Sequence, residues 1–389
     1  MNTYLKQFST VTVVLLLAIA LLNWATDPFA VWHNRCVEGL NCHKTEAGEK
    51  IYLTKAYQWR HVNPDIVILG NSRPELGVNP NSPFFKDKTV YNLAIRGAGV
   101  GTQAEYLINL LENSTPERVI LSVDFLDFLQ RSTSRVNWPP KPSPSSNMPL
   151  TLLQQPNPYY FKNNVKTHLA TLYSLDTTLA SINTLISQRQ QTNYTTLEGF
   201  NQAQGFIPIV NNEGTRALFE QKRQGLLKRL GGKSFSLTDD AGQSSSLNSL
   251  KILIDTLKTK GIKLDLFISP YHQRYLEIIN QTGHFELYLA WKQELVTQLS
   301  ALDFFANGYL LDFSGFNRYT LETVPEGRGK FMKWYWEPSH YREELGEVII
   351  EHILSENTEF RLTPKNITRR LAKERLTIDE QLSTHTSKD

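Results

Sequence analysis

Ile66-Val67-Ile68-Leu69-Gly70-Asn71-Ser72-Arg73 opens with an aliphatic, mostly β-branched run and then turns abruptly polar. A run that short and that apolar reads as a strand buried on both faces. Gly70 marks a turn, so Ser72 falls just beyond the carboxyl end of a strand, where open α/β sheets place their ligands. A serine hydroxyl is a poor nucleophile until a positioned base accepts its proton, and that base needs an orienting partner. Far along the chain, Glu337-Pro338-Ser339-His340 supplies an imidazole with a carboxylate three residues before it. Ser72, His340 and Glu337 are therefore the candidate nucleophile, base and orienting acid. Taken singly, a Gly-x-Ser after a strand is a common structural turn, and one of nine histidines following an acid is unremarkable. The pairing of the two motifs in one α/β chain is what favours chemistry.

The α/β rhythm extends outward from this stretch. Residues 90–95 and 118–125 read as further strands, and Thr102-Gln103-Ala104-Glu105 is a capping-box signature opening a helix between them. After a long gap the pattern resumes with a helix over 247–260, a strand over 263–269, a helix over 285–299, a strand over 309–313 and a helix over 343–354. Strand, helix and strand in alternation predict a three-layer α/β/α sandwich around a parallel sheet of about five strands. Trp138-Pro139-Pro140-Lys141-Pro142-Ser143-Pro144 interrupts the pattern. Residues from about 130 to 246 read as a polar insertion, weakly helical over 169–186 and 215–230, that partly covers the strand ends. From 358 to 389 the chain is charged and short of large apolar residues, the composition of a loosely attached tail.

Composition is that of an ordinary globular chain: 389 residues, 40% hydrophobic and 20% charged, with a net charge of +3. That net charge is too small to argue for nucleic acid, and with no basic stripe interleaved with aromatics no nucleic-acid partner is expected. Residues 1–25 differ. Lys6 precedes the apolar run over 11–22, and Trp24 follows at an interfacial position. The run reads as an uncleaved signal anchor or as a cleaved signal peptide; Ala18-Ile19-Ala20 lies within the apolar run, which favours the anchor. Either way the bulk of the chain is expected outside the cytoplasm, as a juxtamembrane segment over 26–63 and an α/β domain over 64–357. Cys36 and Cys42, the only two cysteines, are expected to close a small disulfide loop. His33 and His43 lie nearby, but the spacing matches no standard zinc pattern. Gly97-Ala98-Gly99-Val100-Gly101 follows a strand without completing a dinucleotide fingerprint or supplying a phosphate-loop lysine, so no cofactor is expected.

These residues together resemble the SGNH (GDSL-type) hydrolase superfamily, and within it the membrane-anchored members of bacterial cell-envelope polysaccharide systems. Those include alginate-type O-acetylation proteins and the D-alanyl transfer protein of teichoic acid synthesis. The resemblance runs from about Asp65 to Leu354 and leaves the insertion uncovered. It rests on Ile68-Leu69-Gly70-Asn71-Ser72-Arg73, Tyr91-Asn92-Leu93-Ala94, Leu121-Ser122-Val123-Asp124-Phe125 and Trp336-Glu337-Pro338-Ser339-His340-Tyr341. It implies a flavodoxin-like sheet, Ser72 as nucleophile in Gly-Asn-Ser where Gly-Asp-Ser is commoner, and His340 as base. Glu337 stands where the family has Asp. The oxyanion-binding glycine matches Gly97, with Gly99 the alternative.

The family's second oxyanion donor, an Asn side chain, is matched by Asp124, whose ionised carboxylate would repel a developing oxyanion. Asp124 has Arg73 and Arg96 as candidate ion-pair partners, and either arginine, turned inward, would bind an anionic group or replace the missing donor. His272, at another strand end, is the rival base and a candidate site-lining group. Trp336, with Trp334 and Tyr335, is either core or a stacking platform for a sugar ring. The function implied is that of an exported O-acetyltransferase or esterase acting on a cell-envelope glycan, with an acylated carbohydrate as substrate. A membrane acyltransferase would be the acyl-donor partner. The alternative is a catalytically degenerate relative that binds glycan or scaffolds an assembly system.

Overall fold

The computed structural model describes residues 2–33, 35–189 and 195–386. Helix α1 (Asn2–Thr26) is exposed over most of its length and buries Asn23 and Thr26 near its end. Among the described residues it is the one helix long and apolar enough to cross a membrane. The juxtamembrane segment is folded down tightly. The Asp27 carboxylate accepts the N–H groups of Val31, Trp32 and His33, Cys36 and Cys42 form a disulfide, and α2 (Ile51–Gln58) packs into the main core.

The α/β domain begins with β1 (Ile66–Leu69), α3 (Ser72–Gly77), β2 (Val90–Asn92), α4 (Val100–Leu110) and β3 (Arg118–Val123). Gly99, not Thr102, holds the N-cap position of α4, so the capping-box motif lies inside the helix. The insertion then contributes β4 (Gln130–Arg131), α5 (Tyr160–Tyr173), α6 (Leu175–Ser187), α7 (Phe206–Asn212), α8 (Thr215–Leu230) and β5 (Phe235–Ser236). Pairing of β4 with β5 closes the insertion at its base. The main domain resumes with α9 (Ser245–Thr259), β6 (Lys263–Ile268), α10 (Gln273–Gln281), α11 (Phe285–Ala301) and β7 (Tyr309–Asp312). A small hairpin of β8 (Tyr335–Glu337) and β9 (His340–Tyr341) leads to α12 (Glu343–Leu354), β10 (Arg361–Leu362) and α13 (Ile367–Thr386).

The central sheet has six strands in the order β10-β7-β6-β3-β1-β2, all parallel except β10. Alternate residues feed a core on each face, as the strand period of two requires. Val67, Leu69, Val119 and Leu121 pack with α4, α9 and α11 on one side. Ile66, Ile68, Ile120 and Phe267 pack with Leu345, Ile349 and Ile353 of α12 on the other. The connection reverses direction between β1 and β3, the switch point at which such sheets open a crevice. Ser72 stands there.

The sheet has one strand more than expected because the tail is not loose. Its β10 adds antiparallel to β7, and Glu374 of α13 reaches the buried Lys292 ammonium at 2.6 Å, which also holds Asp312 at 2.8 Å.

Candidate active site

The turn that presents Ser72 is built around one glycine. Gly70 has φ +151°, and a Cβ there would lie 2.6 Å from Pro74 and 3.0 Å from Ser122, so no larger residue fits. Asn71 caps α3 through its side-chain oxygen, which accepts the Arg73 N–H at 3.0 Å, while its amide donates to Asp127 at 2.8 Å. From β2, the buried Asn92 amide donates to the carbonyls of Pro74 and Val78 and staples α3 to the sheet. Two further glycines set the approach of the opposite wall. A Cβ on Gly77 would overlap the Tyr341 ring at 2.0 Å, and one on Gly346 would overlap Gly77 O at 1.6 Å. Glycines at both positions bring α3 against β9 and α12, and with them Ser72 against His340.

Ser72 Oγ lies 2.7 Å from His340 Nε2, and Nδ1 of the same ring is hydrogen-bonded to Glu337. An ionised carboxylate only accepts, so the imidazole proton sits on Nδ1 and Nε2 is left to accept from the Ser72 hydroxyl. The Ser339 N–H and hydroxyl also donate to the Glu337 carboxylate, at 3.1 and 2.8 Å, and Lys222 of α8 stands 3.4 Å from it. Burial pushes the Glu337 carboxyl up, but His340, Lys222 and Ser339 outweigh it and hold its pKa at about 2. Burial lowers the His340 pKa; Glu337 opposes that shift, while Lys222 and Arg73 add to it. The arrangement is an ionised Glu337, a neutral His340 and a hydroxyl hydrogen-bonded to a free ring nitrogen.

Asp124 does not face this relay as a bare charge. Its carboxylate pairs with Arg73 at 2.8 Å, accepts the Tyr271 hydroxyl at 2.7 Å and caps the Leu126 N–H at 3.0 Å. The guanidinium of Arg73 lies over the Tyr271 ring at 4.8 Å. Arg96 pairs elsewhere, with the buried Glu75 at 3.2 Å. Gly97 has φ +72°, a left-handed conformation suited to glycine. Two residues before it, the Ile95 N–H donates to Gly70 O at 3.0 Å, so the chain leaves the sheet beside the Ser72 turn. Gly99 opens α4, with nothing within 4 Å of where a Cβ would sit.

Two expectations are corrected. His272 is not a rival base: its Nε2–H donates to Glu322 O at 2.7 Å, and its Nδ1 accepts the Arg274 N–H as the N-cap of α10. Burial is the main cause that lowers its pKa, to about 4. Its backbone N–H donates to Pro338 O at 3.0 Å, which buttresses the Glu337–His340 turn. Trp336 is not a free stacking platform. Phe206 of α7 stacks on its ring at 5.5 Å and 14°, and the Arg342 guanidinium lies over it at 4.7 Å.

Three residues at the site escaped sequence reasoning. Phe206 and Lys222 come from the insertion, more than 110 positions from the hairpin they cover, and no local pattern marks them. Asp127, behind Asn71, has its carboxyl pushed up to about 7 by burial and by Asp124 beside it, against Arg73 and Asn71. The spacing Asp124-x-x-Asp127 was visible, but its approach to Asn71 was not. Among the described residues no group of acidic, His and Cys side chains could hold a metal ion. No protein-family model matches the chain, and no curated protein matches it in sequence.

Proposed function

We propose that this chain is a membrane-anchored serine acyl-ester enzyme of SGNH type, exported with its α/β domain outside the cytoplasm, which moves or removes an acyl group on a cell-envelope glycan. The observation that carries the reading is the continuous relay from Ser72 through His340 to Glu337, with Ser72 Oγ 2.7 Å from His340 Nε2, within reach for proton transfer. Lys6 ahead of the apolar run supports an inside N-terminus.

In the first half-reaction the Ser72 oxygen attacks the acyl carbonyl of the donor and its proton passes to His340 Nε2. Glu337 stabilises the imidazolium that forms. The tetrahedral oxyanion is held by the N–H of Ser72, which opens α3 and has no intrahelical acceptor, and by that of Gly97. Collapse breaks the bond to the donor oxygen, which takes the proton from His340. In the second half-reaction a sugar hydroxyl gives its proton to His340 and attacks the acyl-serine carbonyl; collapse breaks the bond to the Ser72 oxygen, which takes that proton back from His340. With water as acceptor the same cycle is hydrolysis. Phe206 beside the partly exposed His340, with Trp336 stacked on Phe206, gives the site an apolar wall that supports transfer over hydrolysis. The buried Asp124, paired with Arg73 where the family has an Asn donor, favours the second reading, a catalytically degenerate relative that binds glycan or scaffolds an assembly system.

The test is acyl release from 4-nitrophenyl acetate by the full chain in detergent, with and without an oligosaccharide acceptor. The reading expects turnover that both Ser72→Ala and His340→Ala abolish, and acetylated acceptor as product. Turnover unaffected by either substitution would sink it.

A further inference from the structure

Helices α5 and α6 are built inside out. On α6 the buried residues are Thr177, Ala180, Ser181 and Thr184, while Leu175, Leu179, Ile182 and Ile186 are exposed. The spacing of the exposed four is that of one helical face. On α5 the pattern repeats: Thr171 is its buried residue, and Phe161, Val165 and Leu169 point outward, Phe161 at 78% exposure. In water this sorting is reversed from what burial favours, and a contiguous apolar patch across two helices marks an interaction surface.

What the polar faces pack against identifies the occupant. Asn23 of α1 donates to Leu172 O at 2.8 Å and to Thr178 Oγ1 at 3.1 Å, and accepts from Ser181 at 2.8 Å. Thr26 donates to Ser181 at 2.8 Å. Small residues and hydroxyl or amide hydrogen bonds at a helix seam, with aliphatic residues outside, are the pattern of helices that associate in lipid. The seam lies at the last two turns of α1, so the outer faces of α5 and α6 continue the exposed apolar surface of the candidate membrane span. At 14 and 13 residues, α5 and α6 are roughly 20 Å long and too short to cross a bilayer. Lys162 and Lys166 are exposed on α5, within reach of lipid phosphates from a helix lying at the interface.

We propose that α5 and α6 form a lipid-embedded hairpin, their apolar faces seated at the headgroup and acyl-chain boundary of the leaflet at the C-terminal end of α1. The anchor is then a three-helix membrane element and not a single tether. This rests on α1 spanning the bilayer and is independent of any chemistry at Ser72.

The test uses the full chain, Cys36–Cys42 intact, with single spin labels at Leu169→Cys, Leu179→Cys or Ile182→Cys. The protein is reconstituted at high dilution in vesicles of phosphatidylcholine and phosphatidylglycerol. Leu15→Cys in α1 reports insertion, and Leu376→Cys on α13 serves as the aqueous reference. The expected result is an oxygen-to-nickel-chelate accessibility ratio several-fold higher at all three hairpin positions than at position 376. Nickel accessibility equal to that at 376 overturns the proposal, because the hairpin then lies in water. Protection from both reagents also overturns it, because a second copy or another protein then covers the face. A water-exposed label at position 15 removes its premise.

Discussion

The insertion contains two helical pairs of opposite construction. In α7 and α8 the buried residues are mostly apolar, Val210, Leu218, Phe219, Leu226 and Leu230 beside a single Thr215, and the charged residues face out or toward the site. In α5 and α6 the buried residues are small, four hydroxyl-bearing and one alanine, and the larger aliphatic ones face out. The same chain segment, closed at its base by β4 and β5, has thus been sorted for two surroundings. One half covers His340 with Phe206 and reaches Glu337 with Lys222. The other half clasps the end of α1. Amphipathicity reports which face is buried only once the surrounding medium is known.

The sharpest way to break this comparison is to make the same truncation in each half. Phe219 is 8% exposed and packs edge-on against His272 at 5.0 Å. Phe219→Ala is expected to cost about 3–5 kcal/mol in detergent-solubilised full chain. Phe161→Ala, on the outward face of α5, is expected to change stability by less than about 0.5 kcal/mol. Denaturant titration of both variants checks this, and equal losses would mean that the two halves are not differently sorted.

A smaller effect is expected at the polar seam. Asn23→Ala removes the acceptor of the Ser181 hydroxyl and the amide donor to Thr178 and the Leu172 carbonyl, leaving Ser181 with Thr26 and Thr178 with Ser174 O. The expected loss is about 1–3 kcal/mol, with acyl chemistry unchanged in the variant that remains folded. Activity falling in proportion to the seam's loosening would show instead that the two halves move together.

The smallest effect is expected from Lys222→Met, and it should appear in pH dependence more than in stability. Lys222 is one of the charges that lower the His340 pKa, beside Arg73 on α3, against Glu337 on β8; Tyr275 of α10 also faces Glu337. Only neutral His340 can accept the Ser72 proton, so activity fails as pH falls through its pKa. Removing the ammonium raises that pKa, and the acidic limb of kcat/KM should move up by roughly 0.5–1 pH unit, tempered by solvent screening at a side chain 30% exposed. Lys222→Arg should leave the limb in place. An unmoved limb in Lys222→Met would assign Lys222 to packing alone.

Parts of this architecture were legible because local sequence and final surroundings agree. β1 is an apolar run buried on both faces, β3 and β6 are mostly aliphatic strands buried beyond their first residue, and α8 occupies the 215–230 stretch that reads as helical. The candidate relay was legible because both motifs sit at strand ends or turns. Other parts depend on contacts that no local pattern encodes. β10 is two residues long and exists only because β7 offers an edge. His272 and His340 both follow a strand or turn, but both ring nitrogens of His272 are committed to backbone groups, at Glu322 and at the cap of α10, whereas Nε2 of His340 faces the Ser72 hydroxyl. Lys222 and Phe206 reach the site through the return path of the insertion. The polar character of α5 and α6 reads as a weak aqueous helix until α1 is placed beside it.

The central claim is that Ser72 is an activated nucleophile. The most direct measurement is reaction of the full chain in detergent with a fluorophosphonate, followed by peptide mass spectrometry on the native protein and on Ser72→Ala, His340→Ala and Glu337→Gln. The account predicts a single adduct on the peptide containing Ser72, absent in Ser72→Ala, lost in His340→Ala and slowed by about 10⁴-fold in Glu337→Gln. Folded native protein that accumulates no adduct, or an adduct at Ser72 that forms equally fast without His340, would contradict it.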